Sequence, residues 1–184
     1  MTSKEFAAAV AKLKKLVPES DTENLYELLC EIEERIPYND PYSQKSAKPG
    51  VTISPGKIKL YDDNMEQAAS YISCENYGHA RSYIEQAALS GVNHFITHRL
   101  QCRVFARCGV DTAICPYNSL AKAYSDAGMY FNAAKACVEI GELCEQNGKK
   151  DEANTYYTQA LNFYSLLGYK PGIARLSQRI ADLS

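Results

Sequence analysis

Four glycines recur at a nearly constant interval in the C-terminal half of the chain, and this interval constrains the fold more than any other feature. Gly109, Gly128, Gly148 and Gly168 are separated by 19, 20 and 20 residues. The runs between them favour helix and are too long for strands. Glycine suits the position just past a helix C-terminus, because the left-handed conformation there carries no Cβ penalty. We therefore predict that each glycine ends a helix and that the helices pair into hairpins of about 40 residues.

A small or aliphatic residue follows three of these glycines at the same distance. Ala133, Ala153 and Ile173 each lie five residues after a glycine. Small residues let two helix axes approach while tyrosines fill the adjoining grooves. The pattern predicts an all-α fold: a tetratricopeptide-like right-handed solenoid of antiparallel helix hairpins with an N-terminal two-helix extension. The earlier stretch 75–89 has the same order of residues and aligns Tyr77 with Tyr130, Ala80 with Ala133 and Ala88 with Gly141.

Composition divides the chain into three parts. Residues 1–36 contain two amphipathic segments, 4–17 and 21–36, which we predict to form an N-terminal helical pair. The inward face of the second is predicted to carry Leu25, Leu28, Leu29, Ile32 and Ile36. Residues 37–56 carry four prolines and two glycines and are predicted to form a linker or loop. Residues 57–184 form the predicted helical-repeat domain. Its predicted helices span 58–74, 75–89, 93–108, 112–127, 130–147, 150–167 and 172–183, with Pro116 in an early turn or at a kink.

Charge and cysteine usage exclude several classes of protein. The formal net charge of −2 argues against a general nucleic-acid binder. No apolar run approaches the roughly 18 residues of a membrane span, and the N-terminus lacks the hydrophobic core of a signal peptide. Seven cysteines, an odd number without a CxxC pair, argue against a disulfide framework, and most are expected to be small buried side chains. The expected protein is soluble and cytoplasmic.

Motifs of catalysis and cofactor binding are absent from the sequence. It contains no GxSxG, no HExxH, no phosphate-binding glycine-rich loop and no dinucleotide fingerprint. His94, His98 and Cys102 stand at four-residue spacing, but the outer two would lie about 12 Å apart on a straight helix, too far to share one metal ion. A two-ligand site completed from elsewhere remains an alternative, as does a Cys102 or Cys108 nucleophile, although nothing in the sequence activates either thiol. We predict neither an enzyme nor a bound cofactor.

A line of basic residues is the strongest candidate for a binding site. Arg99, Arg103 and Arg107 are four residues apart and so lie on one helix face. Like charges at this spacing repel by about 0.2–0.5 kcal/mol per pair unless an acidic group compensates. The alternative is a solvated face whose arginines pair with Glu85 or nearby carboxylates. We predict a surface for an acidic helical protein partner, formed by Arg81, Arg99, Arg103, Arg107, Lys122 and Lys135.

The lengthened repeat resembles a known family. The stretch YSDAGMYFNAAKACVEIGELCEQNGKKDEANTYYTQALNFYSLLG is similar to the soluble NSF attachment proteins, the SNAP adaptors of membrane fusion, whose repeats join an aromatic-rich helix, a glycine, an Ala-Ala helix start and a tyrosine-rich helix. The likeness extends over 119–183 and, less closely, over 57–108. It implies that a basic face grips an acidic SNARE four-helix bundle, and it gives the six basic residues that role. Complete adaptors also have further hairpins and a C-terminal bundle that activates an ATPase, and a chain ending at Ser184 is expected to lack them.

Three functions fit these observations. The leading hypothesis is a cytoplasmic protein-binding adaptor of vesicle trafficking and membrane fusion that contacts SNARE bundles. Its amphipathic, lysine-bearing first helix would either pack against the body or make a peripheral membrane contact. The alternative is a structural or assembly scaffold subunit with a permanent partner and no SNARE role. A third is a tetratricopeptide module that clamps a peptide carboxylate, but the residues of such a clamp are not evident.

Overall fold

The computed structural model describes residues 54–90 and 95–183, together with Leu28. Within this part of the chain every regular element is a helix, which confirms the all-α prediction. The solenoid arrangement and its handedness stay predictions. The helices are α1 (Pro55–Ser73), α2 (Tyr77–Leu89), α3 (Phe95–Cys108), α4 (Val110–Asp126), α5 (Tyr130–Gln146), α6 (Lys150–Leu167) and α7 (Lys170–Leu183).

The predicted N-terminal pair and most of the predicted linker lie outside the described residues. Leu28 is helical but 56% exposed, although the pattern predicts that it faces inward. It lies roughly 60° from the centre of the predicted apolar stripe, at its margin. Helix α1 begins at Pro55, within the predicted linker, because the fixed φ of proline and its missing N–H suit the first helical turn.

Three of the four glycine turns have the same hydrogen bonds. Gly128, Gly148 and Gly168 have φ of 76°, 74° and 67°. In each turn the next residue donates its N–H to a carbonyl five residues back, while the glycine N–H bonds a carbonyl three back, which is the Schellman pattern. The five-back bonds are Met129 to Tyr124 (2.8 Å), Lys149 to Cys144 (2.9 Å) and Tyr169 to Tyr164 (2.9 Å). The predicted helix-ending role of these glycines is confirmed.

A fourth turn of this type joins α1 to α2 without a glycine. Glu75 takes the positive φ, 56°, and Asn76 donates its N–H to the Tyr71 carbonyl over 2.9 Å. Ala80 then starts the next helix by bonding the Asn76 carbonyl, as Ala133 does with Met129. Both alanines are fully buried. The predicted alignment of the early and late hairpins is therefore confirmed at the turn itself.

Gly109 makes a different connection. It is the single residue between α3 and α4, with φ of 136°, and its N–H approaches the carbonyls of Phe105 and Ala106. Its own carbonyl accepts the first bond of α4, from Ala113 at 3.3 Å, so the helix begins two residues before the predicted start. Pro116 lies at the seventh position of α4, beyond the first turn, and leaves the carbonyl four residues earlier without a helical donor.

The described residues form two compact units, residues 54–120 and residues 121–183, each with its own packing. In the first, Ala68 of α1, Ala80 and Ile84 of α2 and Val104 of α3 form a buried cluster. The hydroxyls of Tyr61 and Thr97 hydrogen-bond between α1 and α3, and burial raises the pKa of the Tyr61 phenol. Partly buried residues surround this cluster: Tyr71, Ile72, Tyr77, Tyr83 and Leu100.

The second unit contains two hairpins whose partners are set by the turns. Across α5 and α6 the contacting pairs lie at similar distances on either side of Gly148: Tyr130 with Phe163, Cys137 with Gln159, and Gly141 with Tyr157. Across α6 and α7 the pairs Tyr157–Arg179 and Tyr164–Gly172 are centred on Gly168 in the same way. This register shows that both hairpins are antiparallel, as predicted.

Buried tyrosines fill the grooves between these helices, as predicted. A Cβ on Gly172 would lie 2.6 Å from the Tyr164 ring and 2.5 Å from the Tyr169 ring. Phe131 packs against both rings, with centroids 5.6 Å and 5.3 Å away. The absence of a side chain at Gly172 thus leaves room for the aromatic cluster of Phe131, Tyr164 and Tyr169 beside the α6–α7 turn. The buried tyrosines are Tyr117, Tyr124, Tyr156, Tyr157, Tyr164 and Tyr169.

The expectation that most cysteines are buried is wrong for the described ones. Cys102, Cys137 and Cys144 are buried, whereas Cys74, Cys108 and Cys115 are exposed, and all six are free thiols. Two of the exposed cysteines occupy helix ends, where fewer neighbours cover a side chain: Cys74 caps α1 and Cys108 ends α3.

Candidate docking surface

Four of the six predicted basic residues lie in the unit of residues 54–120. Arg81 is on α2, and Arg99, Arg103 and Arg107 follow one another along α3. Arg103 and Arg107 are exposed, and Arg81 and Arg99 are partly exposed. The four-residue spacing places the α3 arginines on one side of the helix, as the sequence predicts.

Two of these arginines reach across the α2–α3 interface, one from each helix. The Arg81 guanidinium lies 4.2 Å from the ring centroid of Phe105 on α3, and that of Arg107 lies 5.9 Å from the ring of Tyr77 on α2. Arg81 also donates from Nε to Glu85 Oε1 over 2.9 Å. The pairing of this arginine with Glu85, predicted as the alternative to docking, is thus present. The two reciprocal stacks connect α2 to α3.

These contacts position the two guanidinium groups at a modest gain in free energy. A cation–π contact at an exposed site contributes about 0.5–1 kcal/mol. The Arg81–Glu85 pair is 41% and 45% exposed, and such surface pairs contribute about 0–1 kcal/mol. Arg99 and Arg103 also have partners within the molecule. Each of the four arginines therefore has a contact within the molecule, and the Arg81 contacts include the carboxylate of Glu85.

The two lysines belong to the other unit. Lys122 is exposed on α4 just past the boundary, and Lys135 is partly exposed on α5. The six predicted residues therefore divide into four arginines in one unit and two lysines in the other. Their action as one face stays a prediction.

A second charged constellation, absent from the sequence predictions, joins α5, α6 and α7. Arg179 on α7 donates from Nη1 to Glu142 Oε1 over 2.8 Å and from Nε to Glu145 Oε2 over 2.9 Å. Tyr157 on α6 donates its hydroxyl to the same Glu145 Oε2 over 2.7 Å, and the guanidinium lies 5.0 Å from its ring centroid. We call Glu142, Glu145, Tyr157 and Arg179 the three-helix network.

The three-helix network shifts the pKa of two of its members in opposite directions. The hydrogen bond from Tyr157, helped by Arg179, lowers the pKa of the Glu145 carboxyl against the opposing effect of partial burial. Burial and the bond to Glu145 raise the pKa of the Tyr157 phenol. Glu145 is therefore held as a carboxylate and Tyr157 as a protonated donor.

Part of the three-helix network had a signal in the sequence. Gly141 aligns with Ala88 in the predicted repeat, and a Cβ on Gly141 would lie 2.6 Å from Cε1 of Tyr157, in keeping with the prediction that tyrosines fill the grooves beside small residues. Arg179 and its carboxylates had none, because the paired residues are 34 and 37 positions apart on different helices.

The suggested metal site and thiol nucleophile involve His94, His98, Cys102 and Cys108, the last an exposed free thiol. Within the described residues, no group of three His, Cys, Asp or Glu side chains is placed to hold a metal ion. His94 lies outside the described residues, and Cys102 is fully buried. The thiol of Cys137 is also buried, and burial raises its pKa to about 12, so it stays protonated at neutral pH.

Across residues 54–90 and 95–183 the regular elements are helices, and α5, α6 and α7 pair as antiparallel hairpins, which defines the class as an all-α helical-hairpin protein. None of the described helices has the length and apolarity to cross a membrane. The family model of soluble NSF attachment proteins matches residues 63–184, and the chain belongs to that family. It is an adaptor family, so the chain is a SNAP-like helical adaptor. The match includes all six predicted basic residues and the three-helix network. Comparison with curated proteins gave no match.

Proposed function

We propose that this protein is an adaptor of vesicle trafficking that binds an acidic helical bundle of the SNARE type through the arginines of α2 and α3. The observation that carries the proposal is the family match, which spans every residue of that surface. A location in the cytoplasm belongs to the same proposal. Peripheral membrane contact through the first helix stays a prediction, since that helix lies outside the described residues.

The arrangement of the arginines supports this function physically. Guanidinium groups bind carboxylates through two parallel hydrogen bonds, so they suit a partner with regularly spaced Asp and Glu. Arg81 and Arg107 already rest on aromatic rings, which lowers the side-chain entropy that binding would otherwise cost. Opposite charge on the partner also increases the association rate, and this gain falls as salt is added.

The test is charge reversal at Arg103, the middle residue of the line Arg99, Arg103 and Arg107 on α3. Arg103→Glu is expected to weaken binding to an assembled SNARE bundle by about tenfold at low salt, with a smaller effect as salt rises. Arg175→Glu, which makes the same charge change on α7, is the matched control and is expected to alter binding little. Binding is measured by surface plasmon resonance at several salt concentrations, and circular dichroism checks that both variants are folded.

The triple variant Arg99→Glu, Arg103→Glu and Arg107→Glu extends the test to the whole line. Binding unchanged by the triple variant at low salt would end the docking proposal. In that case sedimentation of the purified chain distinguishes the scaffold alternative, because an obligate assembly subunit is expected to self-associate when isolated.

A further inference from the structure

The tip of the α5–α6 hairpin carries the one Asn-Gly pair of the sequence, Asn147–Gly148. Both residues are exposed. Every other asparagine is followed by a residue with a side chain, which hinders attack by its backbone nitrogen. Glycine offers no such hindrance. The exposed pair is therefore the position in this chain best suited to spontaneous reaction between a side-chain amide and the backbone.

We propose that Asn147–Gly148 is a deamidation site that acts as a slow covalent switch at the head of this hairpin. The Gly148 nitrogen attacks Cγ of Asn147, a new N–C bond forms, the Cγ–Nδ2 bond breaks, and ammonia leaves with the amide proton. Water then opens the resulting succinimide to aspartate or isoaspartate. The reaction needs no reagent other than water, because the nucleophile is the backbone nitrogen of Gly148 in the same chain.

The closed turn holds both reacting groups away from each other. The Gly148 N–H donates to the Glu145 carbonyl over 3.0 Å, and Asn147 Nδ2 donates to the Leu143 carbonyl over 2.8 Å. Asn147 has ψ of 12°, which places the Gly148 nitrogen on the side of the Cα–C bond away from its side chain. Ring closure requires rotation about that bond and loss of the Gly148 hydrogen bond. The reaction therefore proceeds from an opened turn.

Opening of this turn is coupled to the three-helix network through Glu145. The backbone carbonyl of Glu145 accepts the Gly148 N–H, while its side chain is held by Tyr157 and Arg179. Local opening exposes the turn with a free energy set by such contacts. Contacts made by α6 and α7 thus determine how often the reactive conformation of Asn147 is reached.

The product would loosen the hairpin that had protected the site. Asn147 is the C-cap of α5, and its side-chain amide adds a second donor to the Leu143 carbonyl, which also accepts the Asn147 backbone N–H. A carboxylate cannot donate this bond, and it would lie at the negative end of the helix dipole, two residues from Glu145. Isoaspartate would add a backbone atom to the turn. Either product favours the open hairpin, so deamidation would shift the turn from its closed to its open form.

The test compares deamidation of the full-length chain at 37 °C and mildly alkaline pH under native conditions and in urea. Mass spectrometry follows replacement of the amide NH₂ by OH at Asn147. We expect native deamidation to be slower than in urea by roughly tenfold, the ratio for a turn opening that costs about 1.4 kcal/mol. Arg179→Ala is expected to move the native rate toward the urea rate, and Arg175→Ala on the same helix is the matched control.

Two outcomes would overturn the proposal. Equal rates with and without urea would show that the turn gives no protection. A rate unchanged by Arg179→Ala, in a variant whose circular dichroism is unchanged, would disconnect the site from the three-helix network. If Arg179→Ala unfolds, Tyr157→Phe, which removes only the hydroxyl bonded to Glu145, gives the same comparison. Asn147→Gln confirms the assignment by abolishing the product.

Discussion

Glu75 occupies the turn position that glycine holds at Gly128, Gly148 and Gly168, and its backbone is correspondingly strained. The left-handed conformation costs a residue with a Cβ about 1–2 kcal/mol, part of which glycine returns through its larger unfolded-state entropy. We predict that Glu75→Gly stabilises the protein by about 0.5–1 kcal/mol. Urea unfolding measures the change, and Gly148→Ala, the opposite exchange in the equivalent turn, is expected to destabilise. Equal stability of the Glu75→Gly variant and the parent would contradict this interpretation.

Two helical glycines differ in what surrounds them, and this difference predicts opposite effects of alanine. A Cβ on Gly141 would lie 2.6 Å from the Tyr157 ring, whereas one on Gly78 in α2 meets nothing within 4 Å. We expect Gly141→Ala to destabilise by about 1–3 kcal/mol through overpacking. Gly78→Ala is the matched control and should stabilise by roughly 0.5–1 kcal/mol through helix propensity. Thermal unfolding of both variants decides, and similar melting temperatures would argue against the close approach of α5 and α6.

At the scale of elements, the three-helix network makes the packing of α5, α6 and α7 dependent on pH. The folded state lowers the pKa of Glu145 below its ordinary value of 4.5, so the stabilisation is present above that value. It is lost as pH falls through the folded pKa, because protonation removes the charge that Tyr157 and Arg179 bind. We predict that acidification from neutral pH to below 4.5 destabilises the parent more than Glu145→Gln.

Melting temperatures of the parent and of Glu145→Gln across this pH range check that prediction. Glu66→Gln, which changes an exposed carboxylate on α1, is the matched control and should retain the acid sensitivity of the parent. A Glu145→Gln variant as acid-sensitive as the parent would show that another carboxylate controls the transition.

The helix pattern could be predicted from the sequence because it depends on local chemistry. The glycine interval located the ends of α4 to α6 within one residue, and the Ala80–Ala133 alignment located the shared turn. Glycine signals could not reveal the turn at Glu75, where the same hydrogen bonds form around a strained residue. They also could not show that the Arg81 guanidinium lies over Phe105, because that contact depends on how α2 and α3 pack, whereas the Arg81–Glu85 pair, four residues apart on α2, could be anticipated from the sequence.

At the scale of the whole molecule, the six predicted basic residues divide between two units while the family match spans both. Arg81 of α2 and Arg107 of α3 each contact a ring on the other helix, so the geometry of these two is set inside one unit. The lysines are positioned by α4 and α5 in the other. Sequence spacing gives neighbours along one helix, but it carries no information about distances between units. The docking experiment therefore begins with Arg103, an exposed arginine within the unit of residues 54–120.

The repeated Schellman turn also limits how a chain of this kind can change length. Each turn fixes where the next helix begins and how it is rotated about its axis. The direction of every side chain on that helix therefore depends on the number of residues between it and the turn. Inserting one residue after Gly168 would rotate the later part of α7 by about 100° and carry Arg179 away from Glu142 and Glu145. Insertions and deletions that keep these contacts must come as complete helix-and-turn units. The length of such a chain can therefore change only by whole repeats if these contacts are to be kept.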